Sequence, residues 1–402
     1  MRWMRDWAAH ARAVVKGMLF IGFSVQIGLG IAWMADSFGQ VQDFGESGSA
    51  LYEGIYGLLG ETPWVMYLLQ LGAAFMAGHF LLGRFGLLFT DSSVRREDLA
   101  GRAFSLWRGF ALLTVPFALQ CHMALLPYSL MSSLYLTALG LLTEGLRTRK
   151  DKEARRRSLC LTLLSVFCLL LGGMLSGAFD RERMQQPGHS LEGAMASRFA
   201  WSYIWQDQDC WSPELRETVR DVLWETSFCP GNMNLLQTVL EERLGKETAR
   251  GYYLEIARTG WERHAPMVVR QIGWDMLGYI AAPAVFPLQM KGHAYDSYSG
   301  RNYEIMRDHA PVLTRYYVDY GCWWFGCCLF LALLLSLSRG LREKITRNLL
   351  TAGGWALAAV LPALALTMRG AGMMDYKYTI AVNELWLVWA LLRMDGKCRK
   401  GE

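Results

Sequence analysis

The chain has 402 residues, of which 52% are hydrophobic and only 19% charged, with 16 Trp and 20 Met. That charged fraction is low for a soluble chain of this size. The net charge of +5 is spread over separate flanks instead of forming one basic patch, which excludes a nucleic-acid partner.

In chain order, apolar segments stand at 17–34, 64–89, 110–120, 126–146, 159–178, 322–338, 349–368 and 379–392. A helix needs about 20 apolar residues to cross a bilayer core, so the expected fold is an all-α polytopic transmembrane bundle of about eight spans with a mostly helical outer domain. The first segment is long and has no Ala-x-Ala cleavage site before Asp36, which reads as a signal anchor. The short segment 110–120 joins the next through Cys121, His122 and Met123 in one apolar run, read as a tight helical hairpin with His122 at its outward tip.

Short loops rich in Lys and Arg stay cytoplasmic. Such residues precede the first span (Arg2, Arg5, Arg12, Lys16) and separate the second from the third (Arg95, Arg96, Arg102, Arg108). They recur at 147–157 and 339–347 and close the chain from Arg393 to Lys400. Both termini are therefore expected in the cytoplasm of a cell-membrane protein, with three parts: a module 1–179 holding spans one to five, an extracytoplasmic helical domain 180–320, and a module 321–402 holding spans six to eight. The first outer loop, 35–63, has no Lys or Arg and carries Asp36, Asp43, Glu46, Glu53 and Glu61.

In the outer region, Ser212-Pro213-Glu214 predicts a helix start, with Leu215, Val219, Val222 and Leu223 at helical spacing. Residues 234–244 and 247–262 read as helices punctuated by Gly245. Segment 273–290 is apolar but holds Asp275, Pro283 and Pro287, and a span there would put the basic loop 339–347 outside; it is read as an interfacial or re-entrant helix pair. Of nine cysteines, only Cys210 and Cys229 share this region, where an oxidising face allows a disulfide; two buried thiols are the alternative. No CxxC or HxxxH spacing points to a metal site.

Glu384 and His79 lie within apolar spans, where an ionisable group costs about 3 kcal/mol and is functional by default; a Glu hydrogen-bonded inside the bundle is the plainer alternative. Arg84 is expected to snorkel. Arg369 and Lys377 occupy a short outer loop where basic residues are disfavoured, which suits either a lipid phosphate or a headgroup contact. Trp323, Trp324, Trp386 and Trp389 read as an aromatic belt, and Tyr295, Tyr298, Tyr303, Tyr316, Tyr317 and Tyr320 as a dense outer set suited to sugar or to an interface.

Three stretches carry a family resemblance: Gln42-Asp43-Phe44-Gly45-Glu46-Ser47-Gly48-Ser49-Ala50-Leu51-Tyr52 after the first span, Met374-Asp375-Tyr376-Lys377-Tyr378 leading into the last, and Ser197-Arg198-Phe199-Ala200-Trp201 with Trp211-Ser212-Pro213-Glu214. With the layout of the chain, they resemble the GT-C class of multi-pass glycosyltransferases, which take a sugar from a polyprenyl phosphate carrier to an acceptor at the outer membrane surface. The resemblance implies a membrane enzyme with a polyprenyl-phosphate-linked sugar donor and a glycan or protein acceptor. Inverting transfer needs a carboxylate to accept the acceptor's proton and cations to steady the departing phosphate. Asp43 and Glu46 fit the first need, one as base and the other holding the acceptor or a divalent metal. Arg369, Lys377, Asp375, His122 and Glu384 are the candidates for binding substrate. An acidic loop is also what the positive-inside bias leaves behind, and a polar hairpin tip is the simpler account of His122. A non-catalytic assembly or scaffold protein of an envelope polysaccharide system is the second reading.

Overall fold

A computed structural model describes residues 2–37, 49–89, 99–115, 118–123, 125–147, 152–175, 192–193, 196, 207–225, 233–292, 311–337 and 380–394. Among the described residues the protein is all-helical and has no strand. The helices are α1 (Arg2–Ser37), α2 (Ala50–Leu58), α3 (Pro63–Phe89), α4 (Leu99–Leu113), α5 (Ala118–His122), α6 (Tyr128–Arg147), α7 (Lys152–Leu175), α8 (Pro213–Glu225), α9 (Met233–Leu244), α10 (Lys246–Gly292), α11 (Pro311–Leu337) and α12 (Ile380–Met394). The chain divides into two compact units, Met1–Ala178 with Asn302–Ala358 and Ile380–Glu402, and Phe179–Arg301 with Ala359–Thr379.

Among the described residues, three helical stretches are long and apolar enough to cross a membrane: Ala9–Asp36, Pro63–Arg84 and Arg155–Leu175; Ala103–Leu113 and Trp323–Ser336 are apolar but shorter. α7 presents Leu159, Leu163, Phe167, Leu170 and Met174 outward, and α1 presents Val14, Met18, Ile21 and Val25. Continuous apolar faces of this kind are solvated by lipid, not water, and the chain is membrane-associated. The expected span 349–368 lies outside the described residues.

In the first unit α6 packs on α3 and α7, α1 on α11, and α12 against α11, α3 and α6. Glycines let these helices approach closely. The Phe80 ring covers Gly140, the Tyr135 ring covers Gly172, and the Trp324 ring lies so close on Gly22 that any Cβ there would overlap it.

The hairpin expected from the run 110–146 is interrupted. α4 ends at Leu113 and α5 begins at Ala118, because Pro116 supplies no amide and disfavours helical geometry just before it. Neighbouring helices satisfy the carbonyls of this break: Gln26 Nε2 donates to Ala111 O at 2.9 Å, and Tyr317 OH donates to Thr114 O at 2.6 Å. Tyr320 OH likewise donates to Gly22 O at 2.7 Å. Tyr317 and Tyr320 are thus bundle-packing residues on α11 and not part of an outer sugar-binding surface; only Tyr316 beside them is exposed. Tyr295, Tyr298 and Tyr303 lie outside the described residues. The aromatic-belt reading also fails in part, since Trp389 and Phe325 are buried and Trp324 packs edge-on against Phe23, while Trp323 is exposed.

The second unit keeps its predicted helix signals. Ser212 accepts the first amide of α8 (Arg216 N to Ser212 O, 2.9 Å), which makes it the N-cap. Glu255 of α10 in turn accepts the Ser212 amide at 2.6 Å and its hydroxyl at 3.1 Å. Gly245, at φ +76, takes the left-handed turn between α9 and α10. Trp211, Leu215, Val219, Leu240, Tyr253 and Ile256 form the core beneath. Burial, together with the nearby charge and hydrogen bond of Glu241, pushes the Tyr253 phenol well above its usual range.

Two expectations are corrected in this unit. Segment 273–290 is not a helix pair but part of the 47-residue α10. Pro283 and Pro287 lie one turn apart and remove two amides, while no turn-forming residue between them ends the helix. Cys210 is an exposed free thiol, neither bridged to Cys229 nor buried. Its sulfur lies 2.8 Å from Arg263 Nη1, a guanidinium that also reaches the buried Asp207 at 3.3 Å, beside His264 at 2.9 Å. Cys229 lies outside the described residues.

Candidate functional site

The polar centre of the first unit is built where the Pro116 break, the hairpin turn and the last helix meet. α5 is five residues long, so its final carbonyls have no helical partner. Gln70, wholly buried on α3, supplies one: its Nε2 donates to His122 O at 3.0 Å and to Cys121 O at 3.5 Å. The other end of the same amide, Gln70 Oε1, accepts Tyr52 OH of α2 at 2.8 Å.

α2 is held in place by more than this bond. Ser49 caps it, accepting the Tyr52 amide, and donates to Met174 O at 3.4 Å near the end of α7. Tyr52 is buried with Met66, Leu130 and Leu175, and Leu125 packs on the same cluster. The short helix therefore covers the turn that carries His122. Gly60 and Glu61, both at positive φ, close the connection to α3; for Glu61 at φ 52 that conformation is uncommon.

His122 has no exposed surface, and Glu384 on α12 is 2% exposed. His122 Nε2 stands 3.6 Å from Glu384 Oε1. This is beyond hydrogen-bonding distance, and Nε2 has no hydrogen bond, so the two groups stand close without being bonded. His122 Nδ1 lies 2.8 Å from Ser129 Oγ, in the first turn of α6. The second carboxylate oxygen of Glu384 accepts Ser132 Oγ at 2.8 Å. The imidazole thus sits between a hydroxyl and a carboxylate, buried away from water. This arrangement can orient the ring, hold a proton between nitrogen and carboxylate, and draw a proton from a hydroxyl at Nδ1.

The structure brings together His122 and Glu384, both anticipated from sequence. Instead of standing at an open tip, His122 is buried among α3, α6 and α12. Asp43, Glu46, Arg369, Asp375 and Lys377 lie outside the described residues. Gln70, Ser129 and Ser132 were not anticipated. Gln70, a polar residue inside an otherwise apolar helix, was the available signal. His79 stands apart from the site, stacked on Phe75 at 6.1 Å, with its Nδ1 buried and without a hydrogen bond. Arg84 does more than snorkel: it pairs with Glu144 at 3.6 Å and lies over the Phe80 ring at 5.2 Å. Among the described residues no cluster of three or more His, Cys, Asp or Glu side chains is placed to hold a metal. No protein-family model matches the chain, and no curated protein or solved structure matches it.

Proposed function

We propose that this chain is a membrane enzyme that transfers a sugar from a polyprenyl phosphate carrier to an acceptor on the outer face of the membrane. In this reading it has eight spans, both termini are cytoplasmic, and 180–320 lies outside. Asp43 or Glu46 is the base, and Arg369 and Lys377 steady the phosphate with Asp375 beside them. The His122–Glu384 pair is the polar anchor for substrate.

The observation that supports the reading is the convergence of three distant segments on one buried pair. α2 follows the acidic loop directly, with Ser49 three residues after Glu46. Through Tyr52 and Gln70 it is tied to the His122 backbone. α12, which follows the loop of Arg369, Asp375 and Lys377, contributes Glu384.

The test is purified protein in nanodiscs supplied with a panel of labelled lipid-linked sugars. Transfer by the parent is expected, with a loss of about 10²- to 10⁴-fold when the true base is changed to its amide. Equal transfer by Asp43→Asn, Glu46→Gln and the double variant would remove the proposed base. The complete burial of His122 and Glu384 favours the second reading, a non-catalytic scaffold in which the pair only fixes helix packing. Failure of every lipid-linked donor to bind would remove the sugar-transfer reading and put the scaffold reading ahead of it.

A further inference from the structure

Ser129, His122 and Glu384 form a chain of hydroxyl, imidazole and carboxylate, with 2.8 Å from Ser129 Oγ to His122 Nδ1 and 3.6 Å from His122 Nε2 to Glu384 Oε1. The sugar-transfer reading uses the pair but leaves the serine without a role. We propose that Ser129 is a nucleophile that takes an acyl group from a membrane glycerolipid ester and passes it to a hydroxyl acceptor.

Each part of the geometry has a function in that chemistry. Glu384 is anchored by Ser132, which fixes one carboxylate oxygen and leaves the other toward His122. A proton on Nε2 therefore faces the carboxylate, and the lone pair of Nδ1 faces the Ser129 hydroxyl. This is the logic of an activated serine, with the ring nitrogens in exchanged roles. The Nε2 contact is longer than a hydrogen bond, as is common in a resting site, and shortens as positive charge develops on the ring. Ser129 also sits in the first turn of α6, where amides lack helical acceptors. Those free donors are assigned to the oxyanion that develops in this step. Nearby Ser132 and Ser133 have no such arrangement: one donates to Glu384, the other to Ser129 O.

The step balances without a further reagent. Ser129 Oγ bonds to the ester carbonyl carbon, and its proton moves to His122 Nδ1. The ester C–O bond breaks, and the lipid alcohol leaves with that proton. An acceptor hydroxyl then attacks the acyl-serine, gives its proton to Nδ1, and leaves as the new ester while Ser129 regains its hydrogen. Ser129 is fully buried, so the donor enters through a local opening, which we assign to α2, held by Tyr52 on Gln70 and by Ser49 on Met174.

The test needs no sugar donor, so its outcome is separate from that of sugar transfer. The full chain in nanodiscs is treated with a lipophilic alkyl fluorophosphonate, and adducts are located by peptide mass spectrometry. A phosphonyl adduct on Ser129 is expected, with Ser132 and Ser133, equally buried on the same helix, as internal controls. Tyr52→Phe, which releases α2 from Gln70, should speed labelling several-fold. His122→Gln should slow it by about 10²-fold or more, with folding verified by its circular dichroism and elution. Absence of a Ser129 adduct from both the parent and Tyr52→Phe overturns the proposal. So does equal labelling of Ser132 or Ser133, or an adduct that forms as fast in a folded His122→Gln protein.

Discussion

Gly22→Ala and Gly28→Ala make a matched pair on α1. Both replace a helical glycine by alanine, and both gain about 1 kcal/mol of helix propensity. They differ in what the new methyl group meets. At Gly28 nothing lies within 4 Å, whereas at Gly22 the methyl enters the Trp324 ring. That ring has little room to retreat, since it is edge-on to Phe23 at 5.4 Å and stacked on Tyr320 at 6.3 Å. The Tyr320 hydroxyl is itself bonded to Gly22 O. Overpacking of this kind costs about 1–3 kcal/mol, and because the propensity gain is common to both variants, their stability difference measures it directly. Denaturant unfolding in a mild detergent should place Gly28→Ala at or above the parent and Gly22→Ala below Gly28→Ala by that amount. Equal stabilities, or the reverse order, would refute the α1–α11 packing.

The raised Tyr253 pKa favours the neutral phenol in the fold, so its contribution is complete below the unfolded value of about 10 and is lost as pH rises beyond it. Alkaline unfolding should therefore be shallower in Tyr253→Phe than in the parent, and identical slopes would argue against the burial of this hydroxyl. Glu255→Ala leaves the Ser212 amide without its acceptor, at a cost of about 1–3 kcal/mol; faster hydrogen exchange at the start of α8 reports it, and unchanged exchange rejects the cap. For topology, a cysteine at Ser190 should react with an impermeant reagent from outside, and one at Lys150 should be protected, in a background where Cys210 has been replaced; the reverse pattern ends the proposed orientation.

Local chemistry in the sequence located the start of α8 and the junction of α9 with α10, though not the length of α10. Ser212 before Pro213, and Gly245 between two amphipathic runs, are signals that act within a few residues and need no tertiary context. The hairpin break was harder to see. Pro116 is visible in the sequence, but the run around it is apolar throughout, and composition does not reveal that Gln26 and Tyr317 stand ready to satisfy the freed carbonyls. Tyr317 and Tyr320 were assigned to the outer domain because the apolar run begins near Cys322, whereas α11 begins at Pro311. Glu384 was singled out by the cost of an ionisable group in an apolar span, and His122 by its place at the tip of the expected hairpin. Their pairing was not legible, since hydropathy and periodicity say nothing about which distant helices touch. Ser129, Ser132 and Gln70 carry no charge and escaped the same test, yet they orient the pair.

A double-mutant cycle on His122 and Glu384 tests most directly whether these residues form one functional centre. Parent, His122→Gln, Glu384→Gln and the double variant would be compared in nanodiscs for unfolding free energy and for transfer from a lipid-linked sugar. Residues 3.6 Å apart in a buried site should couple by about 0.5–3 kcal/mol in stability, and the double variant should lose little more transfer than the worse single one. Additivity within about 0.3–0.5 kcal/mol, together with unimpaired transfer by all three variants, would contradict the account.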